Sequence, residues 1–409
     1  MDVRLFPAKL HGAVTPPPSK SQAHRLLLAA GLSSGQSTIR GITHSQDMEA
    51  TMACLRALGA NVERTGDVVT VTGIFAHGVP QFAQLPVLDC CESGSTLRFF
   101  IPVALAVAGG GIFTCRGRLL ERPQQPYFAL FAEKGVCYER TPGKLTVQGA
   151  LRPGRYALPG DVSSQFFTGL LYALPLLDGP STLVSTTALE SAAYLTMTLE
   201  ALAQAGVPVT ETAAGEYQIP GGGTYQPMDA AVEGDWSQAG FFYAAKGLGN
   251  NLEICGMNDQ SAQGDRVIAA FYEQLCGQGP VTLDVSQCPD LVPPLALHAA
   301  LRNGGTTHIV GAARLRMKES DRLATVTETL NRLGAQITEY EDRLEIHGVE
   351  TLHGGTVNSH NDHRIAMMAA MAATVCDGPV FLEDAGSVKK SYPDFWQVYA
   401  ALGGRAEEV

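Results

Sequence analysis

No stretch of the chain reaches the roughly 18 uninterrupted apolar residues that a membrane-spanning helix needs. The opening MDVRLFPAKLHG also lacks the pattern of a signal peptide. The expectation is a protein of the cytoplasm with no membrane partner. Positive charge is scarce as well: 29 Lys and Arg stand against 40 Asp and Glu, for a net charge of −11. A sequence-independent binder of nucleic acid or anionic lipid needs an excess of cations. Neither is therefore an expected partner, and any anionic ligand must meet positive charge gathered locally. The nine cysteines show no C-x-x-C or His-paired spacing, which argues against a disulfide framework and against a zinc site, so no metal is expected. Heptads are missing too, and the expected state is a monomer.

What is present is apolar material, 45% of 409 residues, more than one packed core commonly uses. Two domains follow. Six segments resemble one another: a helical stretch, then a small residue with Gly, then an alternating strand or strand pair. They start at Leu55, Phe128, Leu199, Phe271, Leu330 and Trp396. Gly59, Gly135, Gly206, Gly277, Gly334 and Gly403 fall where a helix ends in a left-handed residue, and alternation such as Val69 and Val71 or Leu344 and Ile346 reads as half-buried strand. Three β/α units per domain are expected. One crossing is placed near Gly221 to Gly234, where GGGTYQPMDAAVEG loses periodicity, and another at Pro16, Pro17 and Pro18. Residues 14–230 would form an N-terminal domain. Residues 1–13 and 231–409, first strand included, would form a C-terminal one.

Polar and cationic residues collect at predicted helix starts. PPPSKSQAHRLLLAAG places Lys20 and Ser21 in a first turn, with Arg25 one turn beyond on the same face. ESGSTLRFF opens with Ser93, Gly94, Ser95 and Thr96; DVSSQFFTGLL with Ser163, Ser164 and Gln165; PDLVPPLA with Asp290; NDHRIAMM with Asn361 and Asp362 before His363 and Arg364. A helix N-terminus offers unpaired N–H groups and partial positive charge, and several together suit phosphates and carboxylates. Capping alone leaves the added cations Lys20, Arg25, Arg98, Arg122, Lys318, Arg322, Arg364 and Lys390 unexplained. In RLRMKESDRLATV the spacing predicts Lys318, Glu319 and Arg322 within one helical turn. Two cations would then share a face, a repulsion that an anion between them would relieve.

These residues resemble the 5-enolpyruvylshikimate-3-phosphate synthase family of enolpyruvyl transferases over nearly the whole chain. The motifs are PPPSKSQAHR, ESGSTLRF, LLERP, LPGDVSSQFFTGLL, LESAAY, VEGDWSQAG, PDLVPPLA, RLRMKESDRL, NDHRIAM and VKKSYPDF, in the family's order. The resemblance implies an α/β fold of two similar domains. Each would hold three β/α units around a pseudo-threefold, an inside-out α/β barrel, with the active site in the interdomain cleft. It further implies transfer of the enolpyruvyl (carboxyvinyl) group of phosphoenolpyruvate to the 5-hydroxyl of shikimate 3-phosphate, with release of phosphate and with no metal or cofactor. Position by position, Lys20, Ser21, Arg25, Ser163, Ser164, Gln165, Ser191, Asp290 and Lys318 would hold shikimate 3-phosphate, with Tyr194 beside the ring. Lys20, Gly94, Arg122, Gln165, Arg322, Arg364 and Lys390 would hold phosphoenolpyruvate. Asp290, Glu319 and Lys20 are the implied catalytic groups: Asp290 as base toward the hydroxyl and Glu319 with Lys20 at C3, or with these roles exchanged, since one group can serve both halves of the reaction. Cations drawn from both halves would repel one another until the substrates arrive, so ligands are expected to draw the domains together.

The sequence departs from the family's pattern at two points. Glu92 stands where many relatives have Asn, and Arg314 replaces an Asn that contacts the ring in some members. Two rival readings are a UDP-N-acetylglucosamine enolpyruvyl transferase and a non-catalytic RNA- or protein-binding repeat protein. The first normally carries a reactive Cys in the loop before an Arg-Pro pair, where this chain has TCRGRLLERP with Cys115 seven residues ahead of Arg122. The second is opposed by the acidic balance and by the lack of a basic, aromatic-studded strand.

Overall fold

A computed structural model describes residues 1–302 and 305–409. They divide into two compact units, Lys20–Glu233 and Met1–Ser19 with Gly234–Val409, called here the N-terminal and C-terminal units. Each encloses its own apolar core. The helices of the N-terminal unit are α1 (Lys20–Gly31), α2 (Gln46–Ala57), α3 (Gly94–Ala108), α4 (Gln125–Lys134), α5 (Ser164–Ala173) and α6 (Ala192–Gln204). Those of the C-terminal unit are α7 (Trp236–Gly247), α8 (Ile268–Cys276), α9 (Val292–Ala300), α10 (Arg322–Arg332), α11 (His363–Ala373) and α12 (Phe395–Ala401).

One pattern is repeated. Strand Val87–Cys91 leads through α3 to strand Gly110–Cys115, which lies parallel to it. Helix α4 then leads to the hairpin Cys137–Thr141 and Lys144–Gln148, whose second arm pairs antiparallel with Gly110–Cys115. The same order recurs around α5 and α6 and around α9 and α10. Two repeats complete themselves with distant chain. Asp229–Ala231 supplies the parallel strand beside Gln36–Arg40, and Val3–Phe6 supplies the final antiparallel strand of the sheet built around α11 and α12. In the sixth repeat, around α7 and α8, the sheet is the parallel pair His11–Val14 and Asn251–Ile254. Each unit therefore holds three sheets among the described residues.

The sixth repeat corrects the reading of the segment from Phe271. Its single strand, Val281–Asp284, opens the next sheet. Gly277 is extended, with φ −73° and ψ 176°. The left-handed position falls instead on Gly279, at φ 86°, where Pro280 follows. The other five glycines do take positive φ, from 70° at Gly206 to 102° at Gly59.

Burial explains where polar chemistry can sit. All residues of α9 and α11 are buried, as are nearly all of α5 and most of α1, α3 and α7. A helix enclosed on every side is apolar nearly all round, as IAMMAAMAA is. Few polar residues lie inside these helices, His24 of α1, Thr168 of α5 and His298 of α9 among them, and the other polar groups gather at the N-termini.

Candidate functional site

In the N-terminal unit, Lys20 opens α1 and its Nζ lies 2.9 Å from Oδ2 of Asp47, in the first turn of α2. Arg25 is 2% exposed. Its Nη1 donates to the Ser21 carbonyl at 2.6 Å, and its Nε donates to the Tyr194 carbonyl and to Thr198 Oγ1 at 3.1 and 2.9 Å. The guanidinium also lies over the rings of Phe99 and Tyr194, and these contacts add to the hydrogen bonds that hold it. Burial pushes it down to about 10, against a small opposing influence from Tyr172 and Tyr194, and it stays charged at neutral pH. Ser191, just before α6, is 3% exposed and holds a left-handed backbone with φ 56°.

The mouths of α3 and α5 interlock. Ser93 and Ser163 cap them, accepting from the Thr96 and Gln165 N–H groups at 3.3 Å each. The Gln165 carboxamide is oriented at both ends: Arg98 Nη1 donates to its Oε1 at 2.7 Å, and its Nε2 donates to Ser95 Oγ at 3.0 Å. Arg98 Nη2 also reaches the Pro123 carbonyl at 2.9 Å, beside Arg122. Gly94 lies close against the Arg122 guanidinium. A Cβ there would stand 2.9 Å from Arg122 Nη1 and 3.0 Å from its central carbon, because the guanidinium lies against the backbone.

In the C-terminal unit a single carboxylate gathers the cations. Asp290 Oδ1 receives Arg322 Nη1 at 2.7 Å and lies 3.4 Å from Lys318 Nζ; Oδ2 receives Arg364 Nη2 at 3.0 Å. Arg322 is 1% exposed and also donates from Nε to Asp362 Oδ2 at 2.8 Å and from Nη2 to Glu319 Oε2 at 2.7 Å. Asp362, with no exposed surface, caps α11 through the Arg364 N–H at 3.0 Å and takes Ser320 Oγ at 3.0 Å. Lys390 Nζ donates to the Asn361 carbonyl at 2.7 Å. Burial alone would raise the Asp290 carboxyl, but Arg364, Lys318 and Arg322 outweigh it and hold the group well below the usual carboxylate range. Burial lowers Lys318, against the pull of Asp290.

This geometry corrects the reading of Lys318, Glu319 and Arg322 as one helical turn. Lys318 follows a short 3₁₀ stretch, Ala313–Met317, in an extended conformation, and α10 begins only at Arg322. The reason is Asp321, a strong N-cap, whose side chain accepts from the Ala324 N–H at 3.2 Å. The anion between Lys318 and Arg322 is the protein's own Asp290. Asp290 itself lies in a 3₁₀ turn, Pro289–Leu291, ahead of α9.

Among the described residues, the non-glycine residues with positive φ are Cys91, Ser191, His360, Asn361 and Asp384. Each stands just before a helix start, including the mouths of α3, α6 and α11. Such conformations persist where surrounding contacts over-determine them, commonly at functional sites.

Sequence reasoning passed over Asp47, Asp265 and the ion-pairing role of Asp362. Asp362 had a legible signal, since four cations of one site demand carboxylates and it adjoins His363 and Arg364. Asp47, in SQDME, looks like ordinary helix-start acid. Asp265 comes from α8's approach and is buried; its Oδ2 accepts from Ser237, and its Oδ1 has no hydrogen-bond partner. Burial, then the charge of Asp290, pushes its carboxyl up to about 7. Cys115 is the buried last residue of its strand, and among the described residues no cluster of His, Cys, Asp and Glu is arranged for a metal. No described helix is long and apolar enough to cross a membrane.

Comparison with known proteins places this geometry. The sequence pattern of the family described as EPSP synthase (3-phosphoshikimate 1-carboxyvinyltransferase) matches residues 6–399. The chain is 43% identical to the 3-phosphoshikimate 1-carboxyvinyltransferase of Clostridium kluyveri, covering 99% of this chain and 98% of that protein. It is 40% identical to that of Clostridioides difficile, with the same coverage. Among solved structures, EPSP synthase from Acinetobacter baumannii superposes over 100% of both chains with a TM-score of 0.81 at 23% identity. The enolpyruvyl transferase NikO from Streptomyces tendae does so over 99% of this chain and 98% of its own, at 0.79 and 18%. The two structures share the fold.

Proposed function

The chain belongs to the EPSP synthase family, and we propose that its polar helix mouths carry out 3-phosphoshikimate 1-carboxyvinyl transfer. The enolpyruvyl group of phosphoenolpyruvate passes to the 5-hydroxyl of shikimate 3-phosphate, and phosphate leaves. The observation that carries this reading is the Asp290 carboxylate held by Lys318, Arg322 and Arg364. An acid so placed holds the position of a substrate anion before the substrate arrives, and its charge is released for chemistry when the anion takes over its cations.

Shikimate 3-phosphate is assigned to Lys20, Ser21, Arg25, Ser163, Ser164, Gln165, Ser191, Asp290 and Lys318. Arg25 and the helix N-termini suit a phosphate, and Tyr194 offers a ring face. Phosphoenolpyruvate is assigned to Lys20, Gly94, Arg122, Gln165, Arg322, Arg364 and Lys390, a set rich in guanidinium groups that match carboxylate and phosphate oxygens in pairs. As the incoming carboxylate or phosphate engages Arg364 and Arg322, Asp290 loses partners and gains basicity. It then takes the 5-hydroxyl proton while the oxygen bonds to C2. Glu319, with Lys20, delivers a proton to C3 and gives the tetrahedral intermediate. Removal of a C3 proton expels phosphate and restores the double bond. The cations stabilise the developing charge throughout. The protein is read as a cytoplasmic monomer.

The test is phosphate release from the purified protein. Release only when shikimate 3-phosphate and phosphoenolpyruvate are both present supports the reading. Release with UDP-N-acetylglucosamine in place of shikimate 3-phosphate, or none at all, overturns it.

A further inference from the structure

Four polar groups inside the N-terminal unit have no part in the chemistry above. His24, in the middle of α1, is 1% exposed, and its Nδ1 lies 2.7 Å from Thr51 Oγ1 on α2. Thr51 Oγ1 lies 2.8 Å from Thr96 Oγ1 on α3. Thr96 Oγ1 donates to Ser93 Oγ at 2.7 Å, and Ser93 is the cap of α3. All four are buried, where apolar residues would pack without the cost of desolvating polar atoms.

The hydrogens in this chain can run only one way. Thr96 has one hydroxyl hydrogen and gives it to Ser93. The bond between Thr51 and Thr96 must then use the hydrogen of Thr51. With that hydrogen committed, the contact at His24 requires a hydrogen on Nδ1. His24 is the Nδ1–H tautomer, and its buried Nε2 has no partner. Burial, then Lys20 and Arg25, hold its pKa well below the ordinary value, so the ring is neutral at working pH. Ser93 already accepts from the N–H and the hydroxyl of Thr96. Its own hydrogen is therefore the last donor of the chain, one residue before Gly94.

We propose that His24 is a positioning residue, whose Nδ1–H starts a one-way chain of hydrogen bonds through Thr51 and Thr96 to Ser93 and thereby holds the mouth of α3 in register with Lys20. The inference rests on the reading of Lys20 and Gly94 as phosphoenolpyruvate-binding. The helices so tied each contribute to that subsite: α1 bears Lys20, α2 bears its partner Asp47, and α3 bears Gly94 and Ser95. A plain packing role does not call for a donor at Nδ1. A positioning role does, because one fixed direction of hydrogen bonding removes alternative arrangements of the mouth.

The test compares His24→Leu, His24→Asn, Thr51→Val and Thr51→Ser with the unaltered enzyme in the phosphate-release assay. The Asn amide can place a donor near the position of Nδ1, and Ser keeps the hydroxyl. The expected result for Leu and for Val is a KM for phosphoenolpyruvate raised about tenfold with kcat within about twofold. Asn and Ser should return KM to within about twofold of normal. The His24→Leu, Thr51→Val double variant should be no worse than either single one, as befits a chain broken once. Should His24→Leu not fold, the Thr51 pair carries the same comparison. A lowered melting temperature with unchanged KM in Leu and Val, or failure of both Asn and Ser to restore KM, overturns the proposal. Absence of activity in the unaltered enzyme would instead count against the functional reading itself.

Discussion

Asp290→Asn separates two roles that an acidic residue in a cationic site can have. The amide keeps the shape and removes the charge that Arg322, Arg364 and Lys318 hold at 2.7, 3.0 and 3.4 Å. Turnover should fall about a hundredfold or more, the scale of losing a general base. Affinity for phosphoenolpyruvate should move the other way, because the side chain no longer competes for Arg364. A charge-assisted hydrogen bond contributes about 1.5–3 kcal/mol net, so full release would tighten binding by roughly tenfold to a hundredfold. The amide oxygen still accepts from one cation, which places the expectation near the lower figure. Folding should survive, since Arg322 keeps Asp362 and Glu319. The assay pairs kcat from phosphate release with calorimetric binding of phosphoenolpyruvate alone to the variant and the natural enzyme. Turnover within about threefold of normal, or binding weakened about tenfold, would refute the idea of a carboxylate that stands in for substrate and is then released as a base.

Three further outcomes are expected. Glu319→Ala should fold normally and lose about a hundredfold in turnover; near-normal turnover would remove Glu319 from the proton path at C3. Gly94→Ala should push the Arg122 guanidinium away from its 2.9 Å approach, raising KM for phosphoenolpyruvate by about tenfold or more with a smaller change for shikimate 3-phosphate; equal changes in both would contradict the assignment of Arg122. Asp265→Asn tests burial energetics. With the folded carboxyl near 7 against an ordinary 3.8, the folded state of the natural enzyme binds a proton that the unfolded state releases. Stability is then lost as pH rises from about 4 to 7, by up to about 4 kcal/mol, and stays lost above. The Asn variant should therefore melt higher than the natural enzyme at pH 8, with the advantage vanishing near pH 4; a constant difference across that range would show that Asp265 titrates normally.

Much of the fold is local and therefore readable. A helix ending at Gly59 or Gly334, followed by an alternating hairpin, declares itself within about 20 residues. Gly277 misled because Gly279 and Pro280 follow it, and the left-handed turn forms two residues later. Pairings such as Asp229–Ala231 beside Gln36–Arg40 join segments nearly the length of a unit apart and leave no periodic trace. At the site, residue types and helix mouths were legible, but the partners were not. That Lys318 and Arg322 converge on Asp290 depends on two segments distant in the chain, and the spacing in KESDR suggested a helical turn that the capping of Asp321 forbids. The hydroxyl chain from His24 likewise spans three helices whose sequences show only ordinary small polar residues.

The most direct measurement runs the reaction in deuterium oxide. Addition followed by elimination makes C3 pass through a methyl group, so the vinyl CH2 of the product should carry deuterium, with one phosphate released per enolpyruvyl group transferred. Product whose vinyl carbon holds only the original hydrogens would mean direct displacement at C2, and would leave Asp290 and Glu319 without the two proton transfers assigned to them.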